Sequence, residues 1–149
     1  MLVKLVRRSL REGVRHSVVS LLPEGPLAAP LREMGVESLF LGMRSGRADP
    51  RGLIALCSIL RRLRPSVIQA WMYHGNLLGG IAGKLSGIPS VWGIHHGRLS
   101  GEETGRITLR TARLCARLSP FLPEAIVCCS PSALRAHLEM GYDEKKMTV

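Results

Sequence analysis

A chain of 149 residues with 46% hydrophobic and 21% charged residues, at a mean hydropathy of +0.14, has the length of a single domain and is too apolar to be disordered. Its longest apolar runs, residues 53–60 and 67–73, fall short of the roughly 18 residues that cross a bilayer, so no transmembrane helix is expected. A net charge of +10 with a pI near 10.5 calls for an anionic partner. Aromatic residues make up only 4%, and neither an RNP pattern, a zinc finger nor a helix-turn-helix is evident, so nucleic acid is not the expected one.

Residues 1–12 place Leu2, Leu5, Val6 and Leu10 on one helical face, with Arg7, Arg8 and Arg11 mostly outside it and Gly13 as the stop. The apolar start breaks into arginines without a small-residue cleavage site, so no signal peptide is expected and the location is read as cytoplasmic. Residues 16–22 read as a strand, apolar nearly throughout as suits one covered on both faces, and Pro23-Glu24-Gly25-Pro26 ends it. A short helix from Pro26 sets Leu27, Leu31 and Met34 on one side and closes at Gly35. A second strand at 37–41 and a polar loop at 42–51 follow.

The helix at 49–64 opens on Asp49-Pro50, turns Leu53, Leu56, Leu60 and Leu63 inward, and ends on basic residues that complement its dipole. A third strand spans 67–72, a helix rich in Gly and Ala 74–86, and the turn Gly87-Ile88-Pro89 leads into a fourth strand at 90–95. A polar stretch with Gly97, Gly101 and Gly105 precedes a long helix ending near Ser119-Pro120. A strand at 125–129, a helix opened by Ser130-Pro131 and closed at Gly141, and the start of a strand at 146–149 complete the chain. The four cysteines, Cys57, Cys115, Cys128 and Cys129, sit among apolar residues without CxxC spacing and read as reduced core thiols.

This alternation implies βαβ units: an α/β, Rossmann-like, doubly wound fold with one parallel sheet, helices on both faces and one core. In such folds ligands sit at the carboxyl ends of the strands. One strand end carries Trp71-Met72-Tyr73-His74-Gly75-Asn76, an indole, a phenol, an imidazole and an amide at a helix start whose free N–H groups favour anions. Tyr73, His74 and Asn76 are candidate substrate-binding residues; the plainer alternative has Asn76 capping or solvating the helix start and Trp71 and Tyr73 packing. Gly79, Gly80 and Gly83 allow the helix close contact with the sheet and do not make a phosphate loop.

The cluster His95-His96-Gly97-Arg98 sets two histidines and a cation directly after a core strand. Histidine works near neutral pH as acid, base or polar anchor, so His96 and His95 are candidate catalytic residues and Arg98 a candidate binding residue, against a reading in which one caps the strand and the other is merely exposed. Ser130 is a further candidate, at the end of the strand 125–129. No Asp, Glu or Cys stands at a supporting metal-ligand spacing, so no metal is expected; Glu102 and Glu103 read as a helix start. Arg106, Arg110, Arg113 and Arg117 draw a cationic stripe suited to an anionic membrane surface, with Ile107, Leu114 and Leu118 on the other side; a solvated face is the alternative.

In order and spacing, these segments resemble the N-terminal domain of family 4 glycosyltransferases of the GT-B fold. The residues that carry the resemblance are Val18-Val19-Ser20-Leu21 with Gly25-Pro26-Leu27, residues 31–36, the run from Val67 to Leu77, the run from Gly87 to His96, and Val127-Cys128-Cys129-Ser130 followed by His137 and Gly141-Tyr142. The resemblance covers nearly the whole chain. It implies retaining, metal-independent transfer of a sugar from a nucleotide sugar, a donor substrate rather than a cofactor, to a lipid-linked or polysaccharide acceptor held mainly by the N-terminal domain. It further implies that His96, with His95 beside it, faces the interdomain cleft near the transferred sugar, and that Tyr73, His74 and Asn76 line the acceptor side.

Two departures from the family pattern stand out. The strand and glycine-rich loop that the family places before its first helix have no counterpart in these 149 residues, nor has the donor-binding domain. An unpaired sheet edge then requires another strand, another chain or water, so self-association or a shifted sheet is expected, and the chain alone is expected to be inactive. The expected partners are a sugar acceptor, the donor domain or a second copy, and an anionic surface at the inner face of the cell membrane. Two alternatives stay open: a non-catalytic basic module for anionic membrane or nucleic acid, and a nucleotide-binding fold of another class such as an epimerase, which would need a phosphate-binding glycine loop that the sequence lacks.

Overall fold

A computed structural model of the chain describes residues 1–44, 50–96 and 105–149. The chain divides into two compact units, Met1–Ala55 and Leu56–Val149, with the division falling inside one helix.

The first unit holds α1 (Leu2–Arg11), β1 (Ser17–Ser20), α2 (Ala28–Glu33), β2 (Glu37–Phe40) and the opening of α3 (Pro50–Leu63). β1 and β2 pair in parallel, Ser17 opposite Glu37 through Ser20 opposite Phe40. Val6, Leu31 and Val36 form its core, with Leu2, Leu10, Val18 and Met34 packed against them. Leu5 and Leu27, expected inside, are exposed: Leu5 stands off the buried stripe of α1, and Leu27 precedes α2 rather than belonging to it. The two strands are half-buried at best, each with an exposed first residue, where the sequence predicts a strand covered on both faces.

The second unit continues α3 and adds β3 (Ile68–Trp71), α4 (Met72–Ser86), β4 (Ser90–Ile94), α5 (Arg106–Leu118), β5 (Ala125–Cys128), α6 (Pro131–Glu139), a 3₁₀ turn at Glu144–Lys146 and β6 (Met147–Thr148). Its four strands are parallel and ordered β3-β4-β5-β6. Trp92, Ile94, Ile126 and Cys128 from the sheet meet Tyr73, Ala112, Cys115, Ala133 and Tyr142 in a continuous core. α4 lies close on the sheet because its glycines allow it: a Cβ at Gly80 would stand 2.9 Å from the Trp92 ring, and one at Gly83 would stand 2.7 Å from the Ile88 carbonyl oxygen.

The fold is therefore α/β and Rossmann-like, with parallel sheets flanked by helices. The single sheet and single core expected from the sequence are instead, among the described residues, two ladders each with its own core.

Candidate functional site

β3 ends at Trp71 and α4 begins at Met72 without a loop, two residues earlier than the helix expected from His74. Met72 makes the turn itself with φ of 66°, a left-handed conformation uncommon for a residue with a side chain. Trp71 and Tyr73 stand on either side of it. β4, paired with β3, ends at Ile94 and is followed by His95 and His96. His95 stacks on Trp71 with ring centroids 4.7 Å apart and planes 18° from parallel. His96 stacks on Tyr73 at 5.9 Å and 22°. Each imidazole thus lies on its own aromatic ring, and both are half-buried, open enough to meet a bound molecule.

Behind them the packing is closed. Tyr73 is 2% exposed, and its hydroxyl is 2.8 Å from Nε2 of His137, which has no exposed surface. Nδ1 of His137 lies 2.7 Å from the Ala133 carbonyl and must carry the proton, so Nε2 accepts from the Tyr73 hydroxyl. The Cys115 thiol donates to the Tyr73 carbonyl at 3.4 Å. Tyr142 sets its ring edge-on to His137 at 5.2 Å and donates to the Ala112 carbonyl at 3.1 Å.

Burial governs the proton affinities. It lowers that of His137 below the ordinary histidine value; the Ala133 carbonyl opposes the shift and the nearby His96 adds to it. Burial raises the Tyr73 and Tyr142 phenols above their usual range, and neighbouring Cys115 strengthens both effects. The Cys115 thiol is pushed up to about 12 by burial, and Cys128 to about 11 by burial and then by Cys129.

Of the expected binding residues, Tyr73 and Asn76 are enclosed, so neither offers its polar group to a ligand here. Asn76 does not cap or solvate the helix start: it lies inside α4, fully buried, and its Nδ2 donates to the Gly93 carbonyl at 3.2 Å, tying the helix to β4. Its Oδ1 has no hydrogen-bond partner among the described residues. His74 is half-buried, with Nε2 3.4 Å from the Thr111 hydroxyl; because that hydroxyl donates to the Ile107 carbonyl, His74 is the donor of the pair. Ser130 caps α6, accepting from the Ala133 N–H at 3.2 Å. Arg98, Glu102 and Glu103, like the Asp49 helix start, lie outside the described residues.

His137 and Cys115 were not singled out as site residues from the sequence. A histidine four residues after Ala133, on the inward face of a short helix, was the available signal.

Arg106, Arg110, Arg113 and Arg117 are all exposed on α5. Ile107 and Leu114, expected on the opposite side, are exposed with them, while the buried face is made of Ala112, Cys115 and Ala116. No described helix is long and apolar enough to cross a membrane. Among the described residues no group of three His, Cys, Asp or Glu is placed to hold a metal ion. An open groove of about 470 Å³ between Leu60, Arg61, Arg64, Pro65, Ser86 and Ile88 lies at the other end of the strands from the histidines.

The family model of Glycosyltransferase Family 4 matches residues 1–149, the whole chain. The chain belongs to this family. No curated protein is matched. Among solved structures, the fold is similar to that of HepE from Anabaena in complex with UDP and glucose, at a TM-score of 0.73 and 15% identity over 89% of this chain and 35% of that one. It is similar as well to MnaA from S. aureus with UDP (TM-score 0.64, 13% identity, 89% of this chain and 35% of that one) and to MurG from Acinetobacter baumannii (0.62, 14%, 97% and 38%). The chain therefore spans little more than a third of the length of these structures. The expected resemblance to a GT-B glycosyltransferase domain is borne out in family and in fold.

Proposed function

We propose that this chain is the acceptor-side half of a retaining glycosyltransferase that moves a sugar from a nucleotide sugar to a lipid-linked or polysaccharide acceptor. One observation carries the reading: at the carboxyl ends of two adjacent parallel strands, His95 and His96 are each laid on an aromatic ring and left half-open to solvent. That is where an open α/β sheet binds its ligands. His96 serves as polar anchor or proton acceptor at the transferred sugar and His95 as its neighbour, with His74, Arg98 and Ser130 on the acceptor side. Tyr73 and Asn76 support the site from behind. The nucleotide is held by a donor domain outside these residues, and the 149-residue chain alone transfers no sugar.

The test is transfer of labelled sugar from a panel of UDP-sugars by the whole gene product that contains this chain. His96→Ala is expected to lower the rate roughly 100-fold or more, the range for loss of a general acid or base. An unchanged rate removes His96 from the reaction. Coding DNA closed by stop codons on both sides of these residues would overturn the transferase reading altogether.

A second reading rests on α5. Its exposed arginines interleave with exposed Ile107 and Leu114, and residues 105–123 contain no acidic residue, a composition suited to lying on anionic lipid at the inner face of the cell membrane. Flotation with phosphatidylglycerol vesicles tests it: salt-sensitive binding, lost when the four arginines become glutamine, is expected, and equal flotation with neutral vesicles would count against it.

A further inference from the structure

The rings of His96, Tyr73 and His137 form a series that links the open site to the interior. Tyr73 stacks on His96 at 5.9 Å and on His137 at 5.8 Å, each at an interplanar angle of 22°. The three residues come from the end of β4, the first turn of α4 and the last turn of α6. Only His96 of the three reaches solvent.

We propose that His137 is a positioning residue for His96: by accepting a hydrogen bond from the Tyr73 hydroxyl it fixes the ring against which the His96 imidazole rests. A buried phenol without an acceptor would leave its hydroxyl unsatisfied, at a cost that favours reorienting the ring. His137 is the acceptor, and it is itself oriented twice, by the Ala133 carbonyl at Nδ1 and by the Tyr142 ring edge-on. Among the described residues the titratable groups around it are Tyr73 from α4, Tyr142 after α6, Cys115 from α5, Cys128 from β5 and His96 itself, none of them a carboxylate. The Ala133 carbonyl favours a charged His137, and burial, the larger effect, together with His96 disfavours it. A neutral His137 has one free ring nitrogen, and Tyr73 occupies it. His137 meets no ligand and acts only through Tyr73.

The proposal rests on the reading of His96 as the group at the transferred sugar, but its first test does not require transfer. In the histidine-labelled 149-residue chain, the His96 ring protons carry the ring-current shift of Tyr73. His137→Leu is expected to move these signals toward those of an unstacked imidazole and to broaden them, whereas His137→Gln, which keeps an acceptor, restores the native positions. A folded His137→Leu chain with unchanged His96 signals overturns the proposal. If that variant does not fold, Tyr73→Phe decides: it removes the hydroxyl and keeps the ring, and native His96 signals in it overturn the proposal equally.

In the whole enzyme, His137→Leu is expected to lower kcat about tenfold with KM little changed, and His137→Gln to recover it. Should His96→Ala leave transfer untouched while the signals still respond to position 137, the function reading fails and the coupling between the rings stands.

Discussion

His95 lies nearly flat on Trp71, 4.7 Å between ring centroids, and so ties the residue after β4 to Trp71, the last residue of β3, which pairs with Gly93. Offset stacking of this kind is worth about 0.5–1.5 kcal/mol beyond the area it buries. Trp71 is half-buried, so Trp71→Ala is expected to cost about 2 kcal/mol, below the range for a fully buried aromatic. Trp71→Phe, which keeps a platform, is expected to lose less than half of that. Urea unfolding of the three chains measures both, and equal losses in the two variants would show that the stack contributes nothing.

Gly83→Ala sets helix propensity against packing. In an exposed helix the change gains about 1 kcal/mol. Here the new methyl would stand 2.7 Å from the Ile88 carbonyl oxygen and 3.1 Å from Ile68 Cδ1, and a backbone atom cannot step aside as a flexible side chain can. Overpacking of this kind costs about 1–3 kcal/mol, so the variant should be destabilised, with a lower thermal midpoint. A midpoint equal to or above the native one would mean that α4 shifts off the sheet without cost.

The thiols should separate by reactivity. Cys129 is exposed, whereas Cys57, Cys115 and Cys128 are buried, and the last two are held protonated well above the ordinary thiol range. Titration of the native chain with a disulfide reagent near pH 8 is expected to show one fast thiol, lost in Cys129→Ser, and three that react only on unfolding. The sign at high pH follows. Unfolded thiols release their protons near 9 while folded Cys115 and Cys128 keep theirs, so stability should fall as pH rises above that value.

At the acid side His137 gives the opposite pH dependence. Its folded proton affinity is below the ordinary one near 6.5, so just under that pH the unfolded chain binds a proton that the folded chain refuses. Stability should therefore drop as pH falls from 7.5 to 5.5, and the drop should be smaller in His137→Gln. Urea midpoints at the two pH values measure it, and parallel pH dependence in both chains would show that His137 titrates as freely folded as unfolded.

Much of this fold is readable from punctuation. Gly13, Gly35, Gly87 and Gly141 each end a helix with positive φ, from 68° to 92°, where other residues are strained, so helix ends could be placed without coordinates. The start of α4 could not, because the left-handed residue there is Met72 and no glycine, proline or asparagine marks the turn. Periodicity shows which residues of α1 and α5 share a face but not how wide the buried stripe is, so Leu5, on the apolar face of α1, and Ile107 and Leu114, on the side of α5 expected opposite the arginines, are exposed. At the site, His95 and His96 were visible because they follow a core strand. The part played by Tyr73 was not, since its partner His137 lies 64 residues further on and no local pattern reports a contact of that span.

The order β3-β4-β5-β6 has a bearing on how the second unit comes into being. Each strand after the first pairs with the one made just before it, through one helix among the described residues or, for β6, through α6 and one 3₁₀ turn. On the ribosome every new strand therefore emerges to find its neighbour already synthesised, and the ladder can lengthen in one direction at the pace of translation. Parallel pairing usually delays folding because distant segments must first meet. Among the described strands that wait is never longer than one βα repeat.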